Sequence, residues 1–194
     1  MGKGQKLYSK AKQIVAGGNM LLSKRPEMFL PEQWPAYFSK SNGCNVWDLD
    51  GNKFIDTSLM GVGPNILGYG DPEVDSAVIN VVKSGNMSTL NCAEEVELAD
   101  MLISMHPWSG MARFARSGGE ANAIAIRIAR AATGKDNVAV CGYHGWHDWY
   151  ISANLSSDDG LKEHLIGGLS PNGVPSALKD TVHPFNYNDI DYLE

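Results

Sequence analysis

Met111-Ala112-Arg113-Phe114-Ala115-Arg116-Ser117-Gly118-Gly119-Glu120-Ala121-Asn122, continued through an alanine- and isoleucine-rich run to Ala132 and then by Asn137-Val138-Ala139-Val140-Cys141, decides the fold. Met111 to Ala115 suit a strand. Glu120 to Ala132 read as a helix with Ala121, Ile124, Ala125, Ile128 and Ala132 on its apolar face, and Gly134 caps it. Residues 137–141 read as a buried strand. Strand, helix, strand is a βαβ unit, so the expected class is α/β, a mainly parallel sheet with flanking helices. In such sheets ligands sit at the carboxyl ends of the strands.

The corner between the first strand and the helix is Arg116-Ser117-Gly118-Gly119-Glu120. Its glycines let the backbone come close to a ligand, and the unpaired N–H groups of the helix start point outward as an anion site. A plainer reading takes Ser117 and Glu120 as a capping box worth about 1 kcal/mol to the helix. A dinucleotide fold would want Gly-x-Gly-x-x-Gly here, and the segment does not supply it.

At the end of the next strand, Gly142-Tyr143-His144-Gly145-Trp146-His147-Asp148-Trp149-Tyr150 packs aromatic rings and two histidines together. A ring there can lie flat on a planar heterocycle, gaining about 0.5 to 1.5 kcal/mol beyond burial. Two other readings stand beside it. His144, His147 and Asp148 could ligate a metal, although the spacing is unspecific, or the run could be an aromatic packing turn.

Upstream, Gln5 to Gly17 predicts a short helix, and Leu21 to Pro35 an irregular arm interrupted by Pro26, Pro31 and Pro35. Val46 to Leu49 and Asn52 to Asp56 flank Asp50-Gly51, the composition of a two-residue type I′ hairpin turn. The glycine-rich stretch from Gly61 to Gly70 leads to Asp71 as N-cap and Pro72 in the first turn of a helix. That helix carries Val74, Val78, Val81 and Val82 on one face and stops at Gly85. A further helix, Ala93 to Met105, begins with acidic residues suited to its dipole and is expected to bury Val96, Ala99, Leu102 and Ile103. Downstream, 156–179 is Gly/Pro/Ser-rich and predicts a mobile loop or lid, and Thr181 to Phe185 resumes a strand. The expected division is an arm, hairpin and glycine-rich loop over 1–70 and an incomplete ligand-binding domain over 71–194.

The 194 residues are 43 % apolar and 20 % charged with a net charge of −6, which leaves no basic field to hold nucleic acid or an anionic membrane. Cys44, Cys92 and Cys141 follow no zinc or disulfide spacing and fit a reducing cytoplasm. No run reaches the roughly 20 apolar residues of a membrane span.

Taken in order, Val46-Trp47-Asp48-Leu49-Asp50-Gly51-Asn52, Phe54-Ile55-Asp56, Gly63-Pro64, Gly68-Tyr69-Gly70-Asp71-Pro72-Glu73-Val74, Arg113-Phe114-Ala115-Arg116-Ser117-Gly118-Gly119-Glu120-Ala121 and Tyr143-His144-Gly145 resemble the class III aminotransferases, most closely the glutamate-1-semialdehyde aminomutase branch. The resemblance implies the large domain of fold type I pyridoxal phosphate (PLP) enzymes, a small amino-compound substrate and a homodimer with the 61–70 loop near its interface. It implies that Ser117, Gly118 and Gly119 hold the cofactor phosphate, that Tyr143 stacks on the pyridine ring, and that His144 belongs to the same site. Gly119 stands where the family usually has a hydroxyl residue. Arg25 lies near the place of the aminomutases' carboxylate-binding basic residue but not in clean register with it, and Val62 replaces their tryptophan. These two departures favour an aminotransferase with another amine substrate.

Transamination on PLP also needs a Schiff-base lysine and an aspartate opposite the pyridine nitrogen. None of the lysines here has the family's context, so both groups are expected beyond residue 194, and this chain alone is expected to be inactive. The other reading is a non-catalytic binding or scaffold module that keeps the start of the fold.

Overall fold

The computed structural model describes residues 1–58, 60–156, 160–161 and 170–193. The chain divides into two units, Met1–Asn91 and Cys92–Glu194.

The first unit opens with helix α1, Lys3–Ile14, whose Tyr8 and Ala11 are buried. Gly4 lies against the arm. A Cβ there would stand 2.0 Å from the Pro35 carbonyl oxygen, so no side chain fits. The arm itself makes two 3₁₀ turns, Leu22–Lys24 and Pro26–Met28. The Tyr8 hydroxyl donates to Glu27 Oε2 at 2.7 Å and ties arm to helix.

Three antiparallel strands follow: β1 (Phe38–Asn42), β2 (Asn45–Asp48) and β3 (Lys53–Ile55). The hairpin predicted from Val46 to Asp56 is present, but its turn is not the two-residue type I′ form. Asp48 N–H donates to the Asn52 carbonyl at 3.0 Å, leaving Leu49, Asp50 and Gly51 in the loop. The cause is the Asp48 carboxylate, which accepts from the backbone N–H groups of Asp50 and Asn52 at 2.9 and 2.8 Å and from Asn52 Nδ2 at 2.9 Å. Such a loop needs glycine in a left-handed conformation at its end, and Gly51 has φ +87°. Strand β1, Phe-Ser-Lys-Ser-Asn, carries no alternation of apolar residues, so its sequence does not announce a strand.

The glycine-rich loop ends at Tyr69, which exchanges backbone hydrogen bonds of 2.8 and 2.9 Å with Gly43. Its hydroxyl donates to Asp56 Oδ2 at 2.6 Å. Helix α2, Pro72–Ser84, starts where the sequence places it, with the Asp71 carboxylate accepting from Glu73 and Val74 N–H. Its valine face is exposed, Val78 and Val82 at 56 and 57 %.

In the second unit, α3 (Ala93–Met105) keeps its predicted bounds but also shows apolar surface, with Val96 72 % exposed. Met111 to Ala115, expected as a strand, are not one. A strand exists only by pairing, and no partner for it lies among the described residues. The parallel pair instead joins β4 (Val138–Val140) to β5 (Val182–Pro184), in register Val138 to Val182. Helix α4, Gly118–Thr133, packs Ala123 and Ile126 toward the core, whereas Ile128 on the predicted face is 60 % exposed.

The core of this unit is Val140, Trp149, Tyr150, Ile151, Ala153, Leu161 and Val182. Helix α5, Asp148–Ile151, supplies three of these, Trp149 and Tyr150 from the aromatic run and Ile151 just after it, and α6, Ile190–Leu193, closes the described chain. Of the expected mobile loop, 157–159 and 162–169 lie outside the described residues. Within its remainder Leu161 is buried and Ser176–Leu178 form a 3₁₀ turn.

Candidate cofactor site

Helix α4 begins at Gly118, with Ser117 as its N-cap. The Ser117 hydroxyl oxygen accepts from Glu120 N–H at 3.3 Å. Glu120 reaches back one residue further than a capping box requires, and its carboxylate accepts from Arg116 N–H at 2.8 Å. The box is thus half formed. The N–H groups of Gly118 and Gly119 have no acceptor among the described residues. A Cβ at Gly118 would meet nothing within 4 Å, so a ligand can approach the helix start closely. Two unsatisfied amides at the positive end of a 16-residue helix are the donor set that suits a phosphate.

The aromatic segment after β4 is stitched to this corner at three points. Asn122 Nδ2 donates to the His144 carbonyl at 3.2 Å. His147 Nδ1 lies 2.7 Å from the Gly119 carbonyl oxygen. Gly145 (φ +105°) sits so tightly on Gly119 that a Cβ would come within 3.0 Å of the Gly119 Cα. Glycine at 145 is therefore required twice, by conformation and by space.

Tyr143 is 52 % exposed beside this contact. Trp146 and Tyr150 meet it edgewise, with ring centroids 6.1 and 6.2 Å away. Neither lies flat on it, so the ring keeps accessible surface for a planar ligand. Tyr150 is fully buried, and its hydroxyl donates to the Gly142 carbonyl at 2.9 Å. Burial raises its pKa, keeping it a neutral donor.

Both histidines face backbone carbonyls. His144 Nε2 is 2.7 Å from the Cys141 oxygen. Carbonyl oxygens only accept, so the proton sits on Nε2 of His144 and on Nδ1 of His147. Among the described residues no three His, Cys, Asp or Glu side chains converge as a metal set.

The structure brings Ser117, Gly118, Gly119 and His144 together with three residues whose roles sequence spacing does not announce: Asn122, Gly145 and His147. Arg25 and Val62 lie in the first unit. Arg25 packs near Gly17, and Val62 adopts a left-handed φ of +69° in a run that also includes Met60, Gly61 and Gly63.

The class-III aminotransferase family model matches residues 31–189. The chain is 36 % identical over its whole length to 3-aminobutyryl-CoA aminotransferase of Cloacimonas acidaminovorans, covering 42 % of that protein. It is likewise 36 % identical over its whole length to glutamate-1-semialdehyde 2,1-aminomutase of Methanothrix thermoacetophila, covering 43 % of it. A transaminase solved with PLP bound superposes with a TM-score of 0.77 at 26 % identity, over 97 % of this chain and 42 % of that one. The chain thus spans well under half the length of the relatives it matches, its fold is that of the fold type I PLP transferases, and it belongs to the class III aminotransferases, whose cofactor is PLP.

Proposed function

We propose that the complete protein transfers amino groups with PLP, and that this chain supplies the phosphate corner at Ser117, Gly118 and Gly119, the ring-stacking Tyr143, and His144 behind it. The observation that carries the reading is the pair of acceptor-less amides at Gly118 and Gly119, joined to the Tyr143 segment by direct backbone contact. When bound, the cofactor supplies an electron sink for negative charge developing on the substrate carbon. The chain's own residues hold and orient. The helix start fixes the anionic end, Tyr143 restrains the ring plane, and the Asn122 and His147 hydrogen bonds keep the two loops in register.

In this proposal the Schiff-base lysine and the carboxylate opposite the pyridine nitrogen come from outside residues 1–194, and residues 1–194 alone are inactive. An amine substrate other than glutamate-1-semialdehyde is favoured, because Val62 stands in place of the aminomutases' tryptophan and Arg25 falls out of register with their carboxylate-binding residue. We further propose a homodimer with the 61–70 loop near its interface, a large-domain portion beginning at residue 71, and a cytoplasmic location consistent with three free cysteines. Among the described residues no helix is long and apolar enough to cross a membrane.

Absorbance titration of the complete apoprotein with PLP tests the corner. Gly118→Val should block binding by projecting a branched side chain into the phosphate space, and Tyr143→Ala should weaken it. Unchanged titrations in both variants would show the site to be elsewhere. Sedimentation equilibrium reads the assembly, and a fully active monomer would remove the dimer.

A further inference from the structure

His147 has a role that anchoring a loop does not exhaust. Its ring lies along the space beside Gly119. The point where a Cβ at 119 would stand is 3.2 Å from Cε1, 3.5 Å from Nδ1 and 3.7 Å from Nε2. The ring therefore crowds the place a side chain at 119 would take, beside the residue that carries one of the two acceptor-less amides. Nδ1–H is committed to the Gly119 carbonyl at 2.7 Å. In the neutral imidazole Nε2 is then a bare lone pair, which repels an anion. In the imidazolium both nitrogens carry protons, and Nε2–H becomes a charge-assisted donor.

We propose that His147 is a phosphate-binding residue of this site and that it acts as the imidazolium, so that cofactor binding is coupled to uptake of one proton. The proposal rests on the reading of the corner as the phosphate site. The titratable groups on the elements around it are accounted for as follows. Glu120, at the start of α4, is engaged by Arg116 N–H. His144 engages the Cys141 carbonyl, and Tyr150 the Gly142 carbonyl. Arg116, Tyr143 and Asp148 complete the set among the described residues. The three heavy atoms nearest to the Cβ position of Gly119 all belong to the His147 ring.

The test uses the complete protein and reads PLP affinity from about pH 6 to about pH 9, together with the ³¹P resonance of bound cofactor. His147→Asn keeps a donor for the Gly119 carbonyl and deletes the distal nitrogen, whereas His147→Ala deletes both. Wild-type affinity should fall about tenfold as pH rises through the imidazole range. Both variants should bind about tenfold more weakly at low pH and lack that step. The phosphate's own second ionisation, near pH 6, is common to all variants and cancels in the comparison. Gly119→Ser in the His147→Ala background should recover affinity without the pH step. Full affinity and an intact pH step in His147→Asn would overturn the proposal, leaving the histidine only its loop contact. If Gly118→Val still blocks binding in that case, the corner reading survives. If Gly118→Val binds PLP normally, the corner reading fails and the proposal falls with it.

Discussion

Tyr143 and Tyr150 show how two tyrosines seven residues apart divide their work. Tyr150, with no exposed surface, anchors the segment through its hydroxyl to Gly142, while Tyr143 keeps 52 % of its surface open. Stacking beyond burial contributes about 0.5 to 1.5 kcal/mol, so Tyr143→Ala should weaken PLP binding about two- to tenfold and shift the cofactor's absorbance band. Gly118→Val should act more severely, because it obstructs rather than merely removes. Ser117, the glycine pair and Tyr143, the residues of the proposed site, stand out in the sequence because a phosphate and a flat ring ask for recognisable residue types. Asn122 and His147 do not. Each contacts a backbone carbonyl far along the chain, 22 and 28 residues away, and a carbonyl leaves no mark in a sequence.

At the scale of elements, caps made the helices legible. Asp71 and Ser117 mark the starts of α2 and α4, and Gly85 and Gly134 their ends. Which face of α4 turns inward was not legible, since small residues lie all around it, and the strand expected at Met111 to Ala115 depended on a neighbour that sequence cannot supply. The Tyr69 to Asp56 bond, which pins the glycine-rich loop to the sheet, makes a testable pH dependence. Burial, then the Asp56 hydrogen bond, raises the Tyr69 pKa to about 12. The same bond is the main cause lowering the Asp56 pKa. A raised tyrosine stabilises below its unfolded pKa near 10, and that contribution disappears as pH climbs from about 10 toward 12. The depressed carboxylate stabilises above its unfolded value near 4, and its share disappears as pH falls through the lower folded value. Tyr69→Phe should flatten the alkaline loss and shrink the acid one in denaturant unfolding. Asp56→Asn should leave part of the alkaline step, because burial remains. A wild-type profile in Tyr69→Phe would refute the link.

For the whole molecule, exposed apolar side chains are the informative quantity. In the first unit the α2 valines lie open, and in the second Val96, Met101 and Met105 of α3 do. Apolar surface of this kind marks contacts with other protein. Residues 1–194 expressed alone should bind a hydrophobic dye strongly and self-associate, and Val78→Lys with Val82→Lys should reduce both. The complete protein should bind little dye, and equal dye binding by the two would show that these faces stay uncovered. The arm, the hairpin and the order of motifs were readable because each is local or tied to a fixed ligand chemistry. The exposed faces were not, since hydrophobic periodicity says that a face will be covered without saying by what.

The seat of Gly145 on Gly119 limits how this corner can change over generations. With the imidazole of His147 already alongside, a newcomer at 119 arrives 3.2 Å from the ring and must shift it by a few tenths of an ångström, while one at 145 wedges the two segments apart. Change at 119 is therefore tied to what the histidine yields, and change at 145 to backbone that has no room to yield.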